Sequence, residues 1–211
     1  MVDPPLWTRQ GVGMADKARR RAMVLDVRRS LPAPTWEREA GLLADGVVAA
    51  CALASVPSGA TVCAYVPLRT EPGSTAMLDV LRAGGRRVLI PIVPDGPGAL
   101  GWAPYLGPGS LVAGSLGILR PTGADLGPSA IDEAALVLVP ALAVDRRGVR
   151  LGRGGGWYDR SLILARAGTA LLAVVRDEEV VDALPREPHD VPVTGVLTPT
   201  AGPRLFRPGL D

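Results

Sequence analysis

A loop rich in glycine and arginine lies in the second half of the 211-residue chain. It runs from Arg150 to Asp159, reads RLGRGGGWYD, and follows an apolar run that starts at Leu136. Because glycine has no Cβ, consecutive backbone N–H groups in such a loop can turn towards one bound anion. Arg150 and Arg153 add full positive charges, and the N-terminus of the helix predicted to follow adds a partial one. The segment therefore predicts a phosphate-binding loop.

The order of strand, glycine loop and helix is typical of nucleotide sites, but two common motifs are excluded. No Lys-Ser or Lys-Thr pair closes the loop as in a Walker motif, and Trp157 breaks the dinucleotide spacing that starts at Gly152. A plain surface turn is the alternative, against which the two arginines and Asp159 argue. At the start of the predicted helix, Asp159 is either a cap or, beside phosphates, a Mg²⁺ ligand.

The first predicted helix, Asp16 to Arg29, carries a second group of basic residues. Taken alone, this group indicates a solvated face or a weak RNA-binding patch. A net charge of +2 and only 4% aromatic residues argue against RNA binding. The basic residues of the helix are Lys17, Arg19, Arg20, Arg21, Arg28 and Arg29.

The elements that must position these residues alternate between helix and strand after Pro57. A second helix, capped by Thr35, is predicted to end near Leu53. The later predicted helices are 74–83, a short turn at 129–134, and 158–167, and short strands are possible at Trp102, Tyr105 and 116–119. The predicted strands are 61–66, 87–93, 136–139, 170–175 and 193–197. Such alternation predicts an α/β fold with a largely parallel sheet.

Length and composition indicate one soluble domain over residues 14–200, with a loose extension at 1–13 and a surface tail at 201–211. The longest apolar run is 134–144, which is too short to span a membrane. Two cysteines, Cys51 and Cys63, do not make a disulfide framework. We therefore expect a cytoplasmic protein that binds neither membrane nor nucleic acid.

The segment VPALAVDRRGVRLGRGGGWYDR resembles the signature of the 5-formyltetrahydrofolate cyclo-ligases, also called 5,10-methenyltetrahydrofolate synthetases. The resemblance extends from Lys17 to about Pro199. It implies a three-layer, Rossmann-like α/β fold of the NagB/RpiA/CoA transferase kind. It also implies a monomeric enzyme that uses ATP and Mg²⁺ to close a ring between N5 and N10 of a reduced formyl-folate, the small-molecule substrate.

The resemblance implies a role for particular residues. Arg153 and Lys17 would be catalytic, and Asp159 and Asp190 would bind Mg²⁺. Residues implied to bind ATP are Lys17, Arg21, Arg150, Gly152, Arg153, Gly154, Gly155, Gly156, Trp157 and Tyr158. Residues implied to bind the folate are Arg21, Val66, Glu71, Arg153, Gly154, Gly155, Gly156 and Trp157. Without the resemblance, Glu71 reads only as the carboxylate of a turn.

Some positions depart from the family pattern. Trp157 stands where Tyr is usual, Pro72 and Gly73 replace more strand-like residues, and Arg120 occupies a position that is commonly Glu. These departures leave open an alternative function, a folate- or nucleotide-binding protein without turnover. His189, the only histidine, is expected to be structural.

Overall fold

The computed structural model describes residues 14–114 and 119–206. In these ranges the helices are α1 (Met14–Ser30), α2 (Ala33–Leu53), α3 (Ala76–Ala83) and α4 (Trp157–Leu162). The strands are β1 (Thr61–Cys63), β2 (Arg87–Ile92), β3 (Gly101–Pro104), β4 (Leu111–Ala113), β5 (Leu119–Pro121), β6 (Ala134–Pro140), β7 (Ala143–Asp145), β8 (Arg150–Leu151), β9 (Ala170–Val174), β10 (Val180–Val181), β11 (Gly195–Thr198) and β12 (Gly202–Leu205). No helix in the two ranges is long and apolar enough to cross a membrane.

The central sheet has seven strands in the order β12-β11-β9-β6-β1-β2-β3. Its five inner strands pair in parallel, and an antiparallel strand closes each edge. Parallel sheets are covered on both faces, which explains why the apolar run of β6 is nearly continuous. This architecture confirms the predicted α/β fold with a largely parallel sheet flanked by helices.

Side chains along each inner strand alternate between two apolar layers because successive residues of a strand point to opposite faces. Leu138 of β6 packs in one layer with Leu43 of α2 and Leu78 of α3. Its neighbour Val137 packs in the other layer with Leu162 of α4. The two layers hold the ends of the central strands in fixed positions.

Helix α1 packs on a small sheet of order β10-β7-β8, where Val24 contacts an apolar cluster that includes Leu142 and Leu151. The solvated basic face considered for this helix is wrong for Lys17, Arg20 and Arg28, which are buried, whereas Arg19 and Arg29 are exposed. A buried cation needs a charged or hydrogen-bonding partner, so the partners of these residues matter.

Several predicted boundaries change in the structure. Helix α2 begins at Ala33 after Pro32, so Thr35 lies inside its first turn and does not cap it; proline is well suited to a helix start. Helix α4 ends at Leu162 and not at 167. Part of the predicted tail forms β12 and pairs with β11. The predicted extension at 1–13, residues 116–118 of a possible strand, and 207–211 lie outside the described residues.

Candidate active site

One cavity of about 450 Å³ brings together all the site residues predicted from the sequence. Its volume is within the range usual for small-molecule sites. The predicted residues in its wall are Lys17, Arg21, Val66, Glu71, Arg150, Gly152, Arg153, Gly154, Gly155, Gly156, Trp157, Tyr158, Asp159 and Asp190. The proximity is therefore a structural fact, whereas the role of each residue stays a prediction.

The cavity lies at the carboxyl ends of β1 and β6, which are neighbours in the sheet. Tyr65 and Val66 follow β1, and Ala141 and Leu142 follow β6. The chain passes from β1 to β2 on one side and later returns to β6 on the other, so strand order reverses between β1 and β6. Ligands of open α/β sheets commonly bind at such a reversal point.

The glycine loop connects β8 to α4, and two arginine side chains hold its carbonyl groups. Arg21 donates from Nε to the Gly152 carbonyl at 2.9 Å, and Arg160 donates from Nη2 to the Gly155 carbonyl at 2.8 Å. Gly156 has φ +67°, and a Cβ there would lie 2.7 Å from Nη1 of Arg160. In a planar peptide the C=O group and the N–H group of the next residue point in opposite directions. Because the two arginines bond the carbonyls of Gly152 and Gly155, the N–H groups that follow these carbonyls point away from the arginines.

The helix after the loop is shorter than predicted, which changes the source of positive charge. Helix α4 has six residues, so its dipole adds little. Its N-cap is Gly156, and Asp159 lies in the first turn with no capping bond from its side chain. Positive charge at the cavity therefore comes mainly from side chains.

Lys17, the only lysine of the chain, contacts two carboxylates from the far end of the sequence. Its Nζ lies 2.7 Å from Oε2 of Glu187 and 2.9 Å from Oδ2 of Asp190. Burial opposes the charged form of Lys17, but the hydrogen bonds to Glu187 and Asp190 outweigh burial and raise the pKa of the amine. Burial likewise acts to raise the pKa of Asp190, but bonds from the Glu187 N–H and Lys17 lower it overall.

The two loop arginines also have acidic partners. Arg150 donates to Oδ1 of Asp159 at 2.6 Å, and Arg153 donates from Nε to Oε1 of Glu71 at 2.9 Å. Arg153 also donates to the Thr70 hydroxyl at 2.7 Å. The Nε atom of Arg150 is buried without a hydrogen-bond partner among the described residues. This unused donor beside the glycine loop fits a cavity that receives an acceptor group such as a phosphate.

The residues predicted to hold Mg²⁺ offer oxygen donors, which this ion prefers. Asp159 and Asp190 both lie in the cavity wall, and each now holds a basic side chain. The ligand atoms of Glu187, His189 and Asp190 lie within 4.8 Å of one another, so Glu187 is a further candidate ligand. The donor set therefore fits Mg²⁺.

Aromatic side chains form part of the apolar wall of the cavity, together with aliphatic residues such as Leu100 and Leu142. Trp157 lies over Gly155, where a Cβ would approach Cε3 of the indole to 3.2 Å. The Tyr65 hydroxyl donates to the Pro72 carbonyl at 2.8 Å. The Tyr158 hydroxyl is buried without a partner among the described residues, and burial raises its pKa well above the ordinary value. These rings provide surfaces against which a flat heterocycle can pack.

Two predictions about individual residues change in the structure. His189 was expected to be structural, but its side chain is 71% exposed at the cavity, so no packing supports that role. Arg120 pairs with Val112 in the two-stranded sheet β4-β5 and does not line the cavity. Its departure from the family pattern therefore lies away from the described cavity wall.

Sequence reasoning missed the part played by Glu187 and Thr70. Glu187 accepts a hydrogen bond from Lys17 and lies three residues before Asp190. An acidic residue so close to a predicted metal ligand was the signal in the sequence that could have identified it. Thr70 precedes Glu71 and had no distinguishing pattern. Its role in holding Arg153 depends on a contact across 83 residues.

Comparison with known proteins shows the family of this chain. A family model described as the 5-formyltetrahydrofolate cyclo-ligase family matches residues 13–199. A protein of Mycolicibacterium smegmatis named 5-formyltetrahydrofolate cyclo-ligase is 47% identical over 190 residues, which are 88% of this chain and 95% of that protein. The chain belongs to the 5-formyltetrahydrofolate cyclo-ligase family. A cyclo-ligase of Escherichia coli is 30% identical over 142 residues, covering 66% of this chain and 78% of that protein.

Solved structures support membership of the cyclo-ligase family. A 5,10-methenyltetrahydrofolate synthetase from Aquifex aeolicus superposes with a TM-score of 0.72 at 25% identity, covering 92% of this chain and 95% of that one. A synthetase from Mycoplasma pneumoniae, at 20% identity, gives a TM-score of 0.66 over 86% of this chain and 97% of that one, and shows the shared fold. The chain is therefore an enzyme of the cyclo-ligase family.

Proposed function

We propose that this enzyme converts 5-formyltetrahydrofolate to 5,10-methenyltetrahydrofolate with ATP and Mg²⁺, releasing ADP and phosphate. The observation that supports the proposal is the set of four basic side chains, Lys17, Arg21, Arg150 and Arg153, around one glycine loop. Each is held by a carboxylate or a loop carbonyl of the protein itself. A triphosphate can replace these partners with its own oxygens.

The reaction needs ATP because the formyl oxygen is a poor leaving group. In the proposed sequence this oxygen attacks the γ-phosphoryl group, and ADP leaves. N10 then attacks the formyl carbon and loses its proton, while the carbon–oxygen bond breaks and the former formyl oxygen departs with phosphate. The chemistry requires positioning and charge neutralisation, and no covalent bond to the protein.

The residues of the cavity divide between these tasks. Lys17, Arg150 and Arg153 neutralise the transferring phosphoryl group, and the loop amides donate to its oxygens. Asp159 and Asp190 hold Mg²⁺, which supplies positive charge beside the phosphates. On the folate side, Glu71 faces the pterin or its N10 region, and the remaining predicted residues bind as assigned from the family resemblance.

The decisive experiment incubates the protein with 5-formyltetrahydrofolate, ATP and Mg²⁺ and follows the absorbance of the methenyl product. Each component is omitted in turn, and we expect product only when all three are present. Calorimetry with a non-hydrolysable ATP analogue distinguishes the enzyme from the alternative, a binding protein without turnover. Binding of the analogue without product in the complete mixture would favour that alternative.

The proposal includes a cytoplasmic monomer that acts on a small molecule. Both cysteines are buried free thiols, which is typical of a reducing compartment. Light scattering coupled to gel filtration tests the oligomeric state, with a mass near 21.9 kDa expected.

A further inference from the structure

Arg28 is a charged side chain with no exposed surface, on the inner side of α1. It does not line the cavity, and the sequence predicted for it only a solvated face or a weak RNA-binding patch. A guanidinium group without contact to water needs several acceptors to offset its lost hydration. The hydrogen-bond acceptors of Arg28 include backbone groups next to the cavity.

Arg28 makes four hydrogen bonds to three different segments. Its Nε and Nη2 atoms donate to the two carboxylate oxygens of Glu179 at 2.7 and 2.6 Å. Nη2 also donates to the Ala141 carbonyl at 2.8 Å, directly after β6. Nη1 donates to the Thr70 carbonyl at 3.0 Å. One side chain therefore joins α1, the end of β6, and the segment after β1.

The Thr70 carbonyl is part of the peptide that connects Thr70 to Glu71. Because this peptide is planar, holding its carbonyl also restricts the Glu71 backbone. Glu71 donates its own N–H to the Leu68 carbonyl at 2.8 Å, and Arg153 contacts both the Thr70 hydroxyl and the Glu71 carboxylate. Arg28 therefore holds this segment at the Thr70 carbonyl, and Arg153 holds it at the Thr70 hydroxyl and the Glu71 carboxylate.

A second buried ion pair supports the first. The backbone N–H of Arg176 donates to Oε2 of Glu179 at 2.8 Å. The Arg176 side chain makes two bonds to Glu39 of α2, at 2.8 and 2.7 Å. Buried ion pairs stabilise a fold poorly compared with apolar packing, whereas they do fix geometry when every acceptor is satisfied.

We propose that Arg28 is a positioning residue for the folate side of the site, acting through the Thr70 carbonyl to set the Glu71 carboxylate against Arg153. This proposal rests on the proposed function, in which Glu71 binds the folate. Removing the contact lets the Thr70–Glu71 segment shift, and even a small displacement in a binding site lowers activity substantially. The defect appears in the use of folate more than in the use of ATP.

The test replaces Arg28 and Glu179 together, as Arg28→Met with Glu179→Gln, so that no unpaired charge stays buried. The Gln amide oxygen can still accept from the Arg176 N–H. The matched control is Arg176→Met with Glu39→Gln, which neutralises a similarly buried pair that makes no contact with Thr70. We expect the KM for 5-formyltetrahydrofolate to rise about tenfold in the first variant alone, and the KM for ATP to change less than about twofold.

An equal KM for 5-formyltetrahydrofolate in the two double variants would overturn the proposal. If the first variant does not fold, Arg28→Lys decides. Its ammonium lies near the position of Cζ, so it can keep the charge pair with Glu179 but lacks the Nη1 branch that reaches Thr70. A wild-type folate KM in Arg28→Lys would then count against the proposal.

Hydrogen exchange separates this proposal from the proposed function. The backbone amides of residues 68–71 and of Gly73 should exchange faster in the Arg28 variant than in the Arg176 control, whether or not the wild-type enzyme closes the ring. Unchanged exchange in this segment would overturn the positioning role. Absence of product from the wild-type protein would instead overturn the proposed function.

Discussion

The Nε atom of Arg153 lies 2.9 Å from Oε1 of Glu71, although the two residues are 82 positions apart in the chain. The pair joins the glycine loop to the segment after β1, which are the proposed ATP and folate sides of the cavity. The Arg153 side chain is 38% exposed, so the pair adds little to the free energy of unfolding. A ligand that opens the pair must offer another hydrogen-bond donor to the Glu71 carboxylate, which is only 9% exposed.

Replacing Arg153 by Ala should abolish ATP-dependent ring closure and leave the fold intact. We expect kcat/KM to fall by about a hundredfold or more, as when a transition-state donor is lost, with a loss of stability below about 1 kcal/mol. Methenyl absorbance gives the rate and thermal unfolding gives the stability. Arg166→Ala is the control because Arg166 is 67% exposed and pairs only loosely with Asp132, at 3.6 Å. Turnover retained in the Arg153 variant would remove this residue from the mechanism.

Replacing Asp159 by Asn should raise the Mg²⁺ concentration needed for half-maximal rate by about tenfold or more, since a neutral amide binds the ion less well. The Asn oxygen can still accept from Arg150, so the loop should keep its position. Rates are measured at saturating ATP over a Mg²⁺ titration, with exposed Asp132→Asn as the control. An unchanged titration curve would show that Asp159 is not a ligand.

Alanine variants of two glycines with positive φ can separate the effect of backbone strain on stability from an effect on nucleotide use. Gly156→Ala places a Cβ near Arg160 at φ +67°, whereas Gly168→Ala has φ +89° with no atom within 4 Å of the added Cβ. Each should lose about 1 to 2 kcal/mol of stability, because L-residues are strained there. Only Gly156→Ala should also raise the KM for ATP. Equal kinetic effects in the two variants would mean that the loop conformation is not needed for the nucleotide.

Asp177 should make stability depend on acid pH. Burial acts to raise its pKa, but bonds from the Thr198 hydroxyl and the Ala201 and Thr200 amides outweigh burial and lower the pKa below 3.8. The unfolded chain then binds a proton more readily than the folded one, so the stabilisation is complete above about pH 5 and is lost as pH falls below 3.8 through the lower pKa of the folded state.

The Asp177→Asn variant should therefore lose less unfolding free energy than the wild type as pH falls, since it lacks this ionisation. Urea unfolding at intervals between about pH 5 and pH 3 measures the slope. Asp26→Asn is the control, because that side chain is 73% exposed. Parallel slopes for wild type and the Asp177 variant would exclude the effect.

The parts of the fold that follow from local pattern were predicted well. The apolar runs of β6 and β9 and the glycines at 154–156 depend on neighbouring residues, so their strands and loop could be read from the sequence. Helix α4 was predicted too long because residues 163–167 are good helix formers, while the chain turns after Leu162 to return to the sheet. Tertiary position overrides local propensity there.

The parts that depend on distant contacts could not be predicted. No local pattern around Arg28 indicates that its partner Glu179 lies 151 residues later. The sequence therefore predicts an exposed arginine at a position where the structure has a buried one. The same reason hides β12, whose four residues become a strand only because β11 offers an unpaired edge. The family resemblance predicted the residues of the site, whereas the ion pairs between them could be found only in the structure.

The distance between Lys17 and Asp190 along the chain has a consequence for biosynthesis. These residues are separated by 173 positions, so the first helix leaves the ribosome long before its carboxylate partner exists. Until then, the buried cations of α1 must stay in water, and the helix cannot dock in its final place. Nucleotide binding at the proposed site should therefore begin only after the segment around Asp190 has left the ribosome.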